Sequence, residues 1–251
     1  MRTATLLLPL CALGASASVF AEATEYAVRW DPDKGGPQSA ADAATKLEID
    51  DDKPKKFEVR YLTVKQPPGL PGPGFEVIAR ERTDKKGPEA MYKLRGPNTP
   101  TARQTLPNWQ CPLQGTQDAK VEVDVAWVLE DETKPHLPPV IREAISYSCS
   151  VAAPASAAYP RSFNMVPKPC SNLVSRLKED VSKKVAWKVE EWTLPTKSRM
   201  VELSYAVDAG SDEHRAAFQK KVDALLKAGA IPLPSSKTTM GGTCPRKARR
   251  A

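Results

Sequence analysis

The sequence predicts an α+β fold: a curved, mainly antiparallel sheet of about eight strands, open or barrel-like, with an amphipathic helix packed on it near the C-terminus. Three observations carry this expectation. Short runs of alternating apolar and charged residues recur along the chain, the two-residue period of half-buried strands. The 24 prolines fall between those runs and mark them off as loops, because proline lacks the backbone donor that a ladder needs. One late stretch has a clear helical period, so the strands have no long crossover helices between them and must pair mainly antiparallel.

The first element is not part of the fold. Met1, Arg2 and Thr3 precede an apolar run from Ala4 to Leu13, small residues, and Val19-Phe20-Ala21 ahead of Glu22. This is the pattern of a secretory signal peptide over residues 1–21, too short for a span of roughly 20 apolar residues. Cys11 follows Leu10, which is not the small residue a lipoprotein site needs. The remainder reads as a single α+β domain over 22–230, with a loop at 152–169, and a basic tail over 231–251.

Strands are predicted at Glu25 to Trp30, Lys56 to Val64, Phe75 to Arg82, Ala90 to Gly96, Lys120 to Glu130, Ala144 to Val151, Val185 to Trp192 and Ser198 to Asp208. A helix is predicted from Ser211 to Ala228, with Ser211 as N-cap, Asp212 and Glu213 in the first turn, and Gly229 just past the end. Its apolar stripe is Phe218, Val222, Leu225 and Leu226. Shorter helices are expected at Ser39 to Leu47 and at Ser171 to Val181, the latter from Leu173, Val174 and Leu177.

Cleavage after Ala21 leaves Cys111, Cys149, Cys170 and Cys244, an even number in a chain bound for an oxidising compartment. Zinc would want Cys-x-x-Cys spacing, and no two of these cysteines lie closer than 21 positions. Four cysteines allow three pairings. Cys111 with Cys149 and Cys170 with Cys244 is favoured, the first to brace a strand pair and the second to tie down the tail.

Each strand splits into an apolar and a charged face. Phe57, Val59 and Tyr61 oppose Glu58 and Arg60; Val121, Val123, Val125 and Trp127 oppose Glu122 and Asp124. Glu76, Arg80 and Arg82 share a side, as do Lys93 and Arg95, Lys188 and Glu190, and Glu202 and Asp208. Two arrangements satisfy this alternation. An open sheet puts the charges on a wet face, where cross-strand pairs contribute about 0.2–1 kcal/mol each. A barrel can instead turn them inward around an anion.

The order of elements resembles the CYTH or triphosphate-tunnel family: Glu25-Tyr-Ala-Val-Arg29, a short helix, strands with Arg80-Glu81-Arg82 and Lys93-Leu94-Arg95, then Val201-Glu202-Leu203 and a helix. The family opens with Glu-x-Glu-x-Lys and uses inward Arg, Lys and Glu to hold a triphosphate and a divalent metal. The resemblance implies an anion site of Arg80, Arg82, Lys93, Arg95 and Glu202. The chain departs from the pattern at Ala27, where the second glutamate would stand, at Arg29, where the lysine would stand, and at Ser204, beyond Glu202.

Other chemistry has little material. The two histidines lie in a proline-rich loop, His136, and on the first turn of the last helix, His214. No Gly-x-Ser-x-Gly, phosphate-binding glycine loop or His-Glu-x-x-His occurs. Glu48 with Asp50, Asp51 and Asp52 lacks the alternation and turn glycine of a calcium loop. Among the tryptophans, Trp127 and Trp187 fall on core faces, while Trp109 and Trp192 are left as candidates for stacking on a ligand. A net charge of +7, interspersed except for Arg246, Lys247, Arg249 and Arg250, gives no nucleic-acid stripe. The expectation is therefore a periplasmic or secreted, non-enzymatic binding or envelope-associated protein with no cofactor, whose partner is an anionic ligand or a cell-envelope component. The alternatives are a tunnel protein for polyphosphate or phosphoester anions and a glycan-binding module.

Overall fold

The computed structural model describes residues 23–50, 53–65, 69–115 and 118–245. The segment expected to be a signal peptide, the acidic pair Asp51 and Asp52, and the terminal basic run from Arg246 lie outside these residues. Among the described residues there are ten strands and five α-helices, of which only α4 is long. In chain order the elements are β1 (Ala23–Trp30), α1 (Ala40–Lys46), β2 (Lys55–Val64), β3 (Glu76–Asp84), β4 (Gly87–Pro97), α2 (Pro100–Thr105), β5 (Asp118–Val128) and β6 (Val140–Val151). They continue with α3 (Ala155–Ala158), β7 (Met165–Pro167), β8 (Asn172–Ser182), β9 (Val185–Thr193), β10 (Arg199–Val207), α4 (Asp212–Lys227) and α5 (Lys237–Gly241).

Nine strands close into a barrel in the order β2, β3, β4, β6, β5, β1, β10, β9, β8 and back to β2, while β7 adds outside β2. Every neighbouring pair is antiparallel except β1 and β5. Closure satisfies the edge donors and acceptors that an open sheet would expose.

The barrel is covered on its outside. Outward residues of β1, β5, β9 and β10 meet α1 and α4 in one apolar cluster, with Phe218 at its centre and fully buried. The Phe218 ring lies 4.8 Å from that of Trp127 and 5.9 Å from that of Trp187, and Trp127 Nε1 donates to Gln219 Oε1 at 2.7 Å. The predicted α4 stripe thus docks as expected, under an N-cap in which His214 N–H donates to Ser211 Oγ at 3.3 Å. A second cluster covers β4 and β6, where Tyr92, Leu94, Ile145 and Tyr147 pack under Leu106 and Tyr159. Cys111–Cys149 ties this cover to β6. The proline-rich stretch at 152–169 contributes α3 to it, and Ala155 N–H donates to Glu81 at 2.7 Å.

One expected element is corrected. Residues 171–181 do not form a helix but the strand β8, which pairs with β2 and β9 and closes the barrel. As a helix they would have left both neighbours with a bare edge. In the strand, Val174 turns into the barrel, Leu177 turns out into the α1 and α4 cluster, and Leu173 is left 61% exposed.

The third cluster is inside the barrel. Phe57, Val59, Ile78, Val174, Trp192 and Met200 fill one end of the lumen, with Leu233 and Met240 packed on them. On β2 it is therefore the apolar face that points inward, opposite to the sense of β5. The chain after α4 crosses this end as a hook: Leu233 N–H donates to the Arg29 carbonyl at 2.7 Å, and α5 follows. Cys170–Cys244 fastens the hook to the start of β8.

Candidate anion tunnel

Beyond its apolar end the lumen is a charged cavity of about 680 Å³. Strand geometry puts the charges there: residues i and i+2 share a face, so Glu25 and Arg29 from β1, Glu122 and Asp124 from β5, and Lys188 and Glu190 from β9 all look inward. Of the two arrangements open from sequence, the inward one is found. Arg80, Arg82, Lys93 and Arg95 line the cavity. Glu202 lies behind Arg29 and Lys237 and is 1% exposed. All five residues of the candidate site therefore converge on one lumen.

Ion pairs neutralise much of it. Lys93 meets Asp124 at 2.9 Å, Lys120 meets Glu122 at 2.6 Å, Arg95 meets Glu76 at 2.5 Å, Arg82 meets Glu89 at 2.5 Å and Lys188 meets Glu25 at 3.5 Å. Lys237, from the hook, sits 2.5 Å from Glu202 Oε1 and 3.3 Å from Glu190 Oε2, and Arg29 Nε donates to Glu202 Oε2. Among the described lining residues ten are basic and six acidic, and Glu89 and Glu202 add two acids from beside the lining, so the lumen keeps an excess of positive charge. Arg80 and Arg176 meet no carboxylate within salt-bridge distance among the described residues, and Arg176 Nε is buried without a partner. Arg82 and Arg176 lie at 5.5 and 5.4 Å over the ring of Phe57, a cation–π arrangement that fixes where both guanidinium groups project.

Sequence reasoning missed three of these residues. Arg176 was hidden in the segment expected to be helical, Phe57 on a face read as core, and Lys237 in a tail with no periodic signal. Trp192, expected as a surface stacking residue, is buried in the lumen wall, where its Nε1 donates to Glu190 Oε2 at 3.0 Å. Trp109 is partly buried against the second cluster. Trp192 therefore offers no open face to a sugar. His214 is engaged with Ser211 and the edge of Tyr205.

The carboxylates are tuned by their neighbours. Burial works against the charge of Glu190, but the Lys237 ammonium, the Trp192 indole N–H, Lys188 and Arg176 outweigh it and hold the carboxyl below its ordinary value of 4.5. Glu25 is likewise held well below that value, burial being overcome by Lys188, Lys237, Lys93 and Lys120. Lys237 is pushed up, its own burial overcome by Glu190, Glu202 and Glu25. Depressed carboxylates bind fewer protons folded than unfolded, so their stabilisation is present above about pH 4.5 and lost as pH falls below it. The melting temperature is therefore expected to be level near neutral pH and to fall below pH 4.5, with a shallower acid limb in Glu190→Gln, measured by calorimetry across pH. Equal limbs in the two proteins would contradict this assignment.

No protein-family model matches the chain, and no curated protein matches it. Among solved structures, the PH1819 protein of Pyrococcus horikoshii OT3 is similar over 84% of this chain and 94% of that one, at 11% identity and a TM-score of 0.43. Two disulfides fit an exported protein, and among the described residues no helix is long and apolar enough to cross a membrane.

Proposed function

We propose that this is an exported, non-enzymatic binding protein that takes a multiply charged anion, an inorganic polyphosphate or a phosphoester, into its barrel lumen. The observation that carries the reading is the pair of guanidinium groups, Arg80 and Arg176, that line the cavity and meet no carboxylate within salt-bridge distance among the described residues. Half-buried cations without a counter-ion are costly, and a ligand that supplies the counter-charge removes that cost. Arg82, Lys93 and Arg95 stand on the same wall, and a cavity with low-dielectric sides concentrates their field. Export is supported by the leader pattern at residues 1–21 and by the two disulfides. Kinship with the CYTH or triphosphate-tunnel family is part of this proposal, supported by the inward placement of Glu25, Arg29, Arg80, Arg82, Lys93, Arg95 and Glu202 around a closed barrel.

The test is calorimetric titration with inorganic tripolyphosphate. Saturable binding that weakens with added salt is expected, and Arg176→Ala is expected to lower the affinity about 10- to 100-fold, the range for losing a charge-assisted hydrogen bond. Absence of binding, or an unchanged affinity in Arg176→Ala, would refute the proposal.

A further inference from the structure

A divalent metal, which the family resemblance implies, does not fit the residues of this lumen. Glu190 and Glu202 are direct partners across β9 and β10, and both point inward. Like charges placed opposite each other on one face repel, and burial strengthens the repulsion. A cation lying between them relieves this repulsion while both stay ionised. Magnesium in that position would need their oxygens free for octahedral coordination. Three of the four oxygens are already taken by N–H donors: Glu202 Oε1 by Lys237, Glu202 Oε2 by Arg29, and Glu190 Oε2 by both Lys237 and Trp192 Nε1. A metal there would also face two fixed positive charges. Glu25 is held by Lys188, and no group of three or more potential ligands gathers elsewhere among the described residues.

The cation that fills the position comes from outside the barrel wall. Lys237 opens α5, and the hook that carries it is fixed at several points. Cys170–Cys244 bonds it to β8, Asn172 Nδ2 donates to the Gly241 carbonyl at 3.0 Å, and Lys168 Nζ donates to the Gly242 carbonyl at 2.5 Å. The ammonium lies 5.6 Å from the centre of the Trp192 ring, which shields it further. The segment that carries this charge is thus held both covalently and by hydrogen bonds.

We infer that Lys237 is the resident cation of the tunnel: it occupies the carboxylate pair in place of a metal, and the lumen binds its anion without any divalent ion. The part about the anion rests on the proposed function. The part about the carboxylates does not, and the two are tested separately. With the full mature chain, disulfides intact, tripolyphosphate is titrated in EDTA and again in excess magnesium, and Mn²⁺ alone is titrated into the wild type and into Lys237→Met, read by electron paramagnetic resonance. Binding in EDTA within about threefold of its strength in magnesium is expected, together with no Mn²⁺ site in the wild type and one new site in Lys237→Met. Tripolyphosphate binding that requires magnesium, or a Mn²⁺ site in the wild type, overturns the inference while leaving the anion reading intact. No tripolyphosphate binding in either buffer overturns the anion reading, whereas Mn²⁺ exclusion that depends on Lys237 still upholds its place between the carboxylates. A Lys237→Met variant that folds and gains no Mn²⁺ site overturns that place, and the wild-type titrations decide the matter if the variant does not fold.

Discussion

Replacing Glu202 with alanine lowers the free energy of unfolding by about 3–5 kcal/mol, the cost of breaking a buried ion pair by removing one partner. The side chain is 1% exposed and is the only carboxylate among the described residues that meets both Arg29 and Lys237. Its loss leaves two cations facing each other in the lumen wall, with Glu190 alone to answer the ammonium. Glu202→Gln separates charge from shape: it keeps the volume and one acceptor, and falls between the wild type and Glu202→Ala. Denaturant titration at constant slope measures both. A loss below about 1 kcal/mol would show that water enters the lumen freely enough to screen the charges, as at exposed pairs. Combining Glu202→Ala with Lys237→Met should cost less than the sum of the two, because the second change removes a charge that the first has orphaned.

The same network explains what could be read from the sequence and what could not. The alternation of Glu25, Ala27 and Arg29, or of Glu122 and Asp124, declares a strand with unlike faces whatever the fold does with it. The direction in which the charged face turns is a property of closure, and closure depends on β8. Its sequence gives no clean alternation, since Val174 and Leu177 are buried on opposite sides of the wall and Leu173 is exposed. That mixture suggests a helix when the segment is read alone; the unpaired edges of β2 and β9 decide otherwise. Arg176 was lost with the same misreading. The five charged residues of the candidate anion site were legible because each lies on a strand whose period is clear. Lys237 was not, because nothing local marks a lysine that acts far from its own segment.

Removing the second disulfide, in Cys170→Ser/Cys244→Ser, tests whether the hook is held by its covalent tie or by its packing. The bond closes a stretch with a sequence separation of 74, and the loop-closure model assigns such a bond about 4 kcal/mol. The corresponding change at Cys111 and Cys149, with a separation of 38, should cost nearly as much, since the entropy grows only with the logarithm of the loop. The two variants differ in where the protein loosens. Cys111→Ser/Cys149→Ser frees the cover of the second cluster and leaves Lys237 seated. Cys170→Ser/Cys244→Ser releases the end of the hook, so Lys237 must hold its place through Asn172, Lys168 and its own ion pairs. Native-state hydrogen exchange under oxidising conditions distinguishes them: amides at 237–244 should exchange at least tenfold faster in the second variant, while those of β9 and β10 keep their ranking. If the hook amides stay as protected as in the wild type, the lysine between the carboxylates anchors the tail, and the disulfide merely follows it.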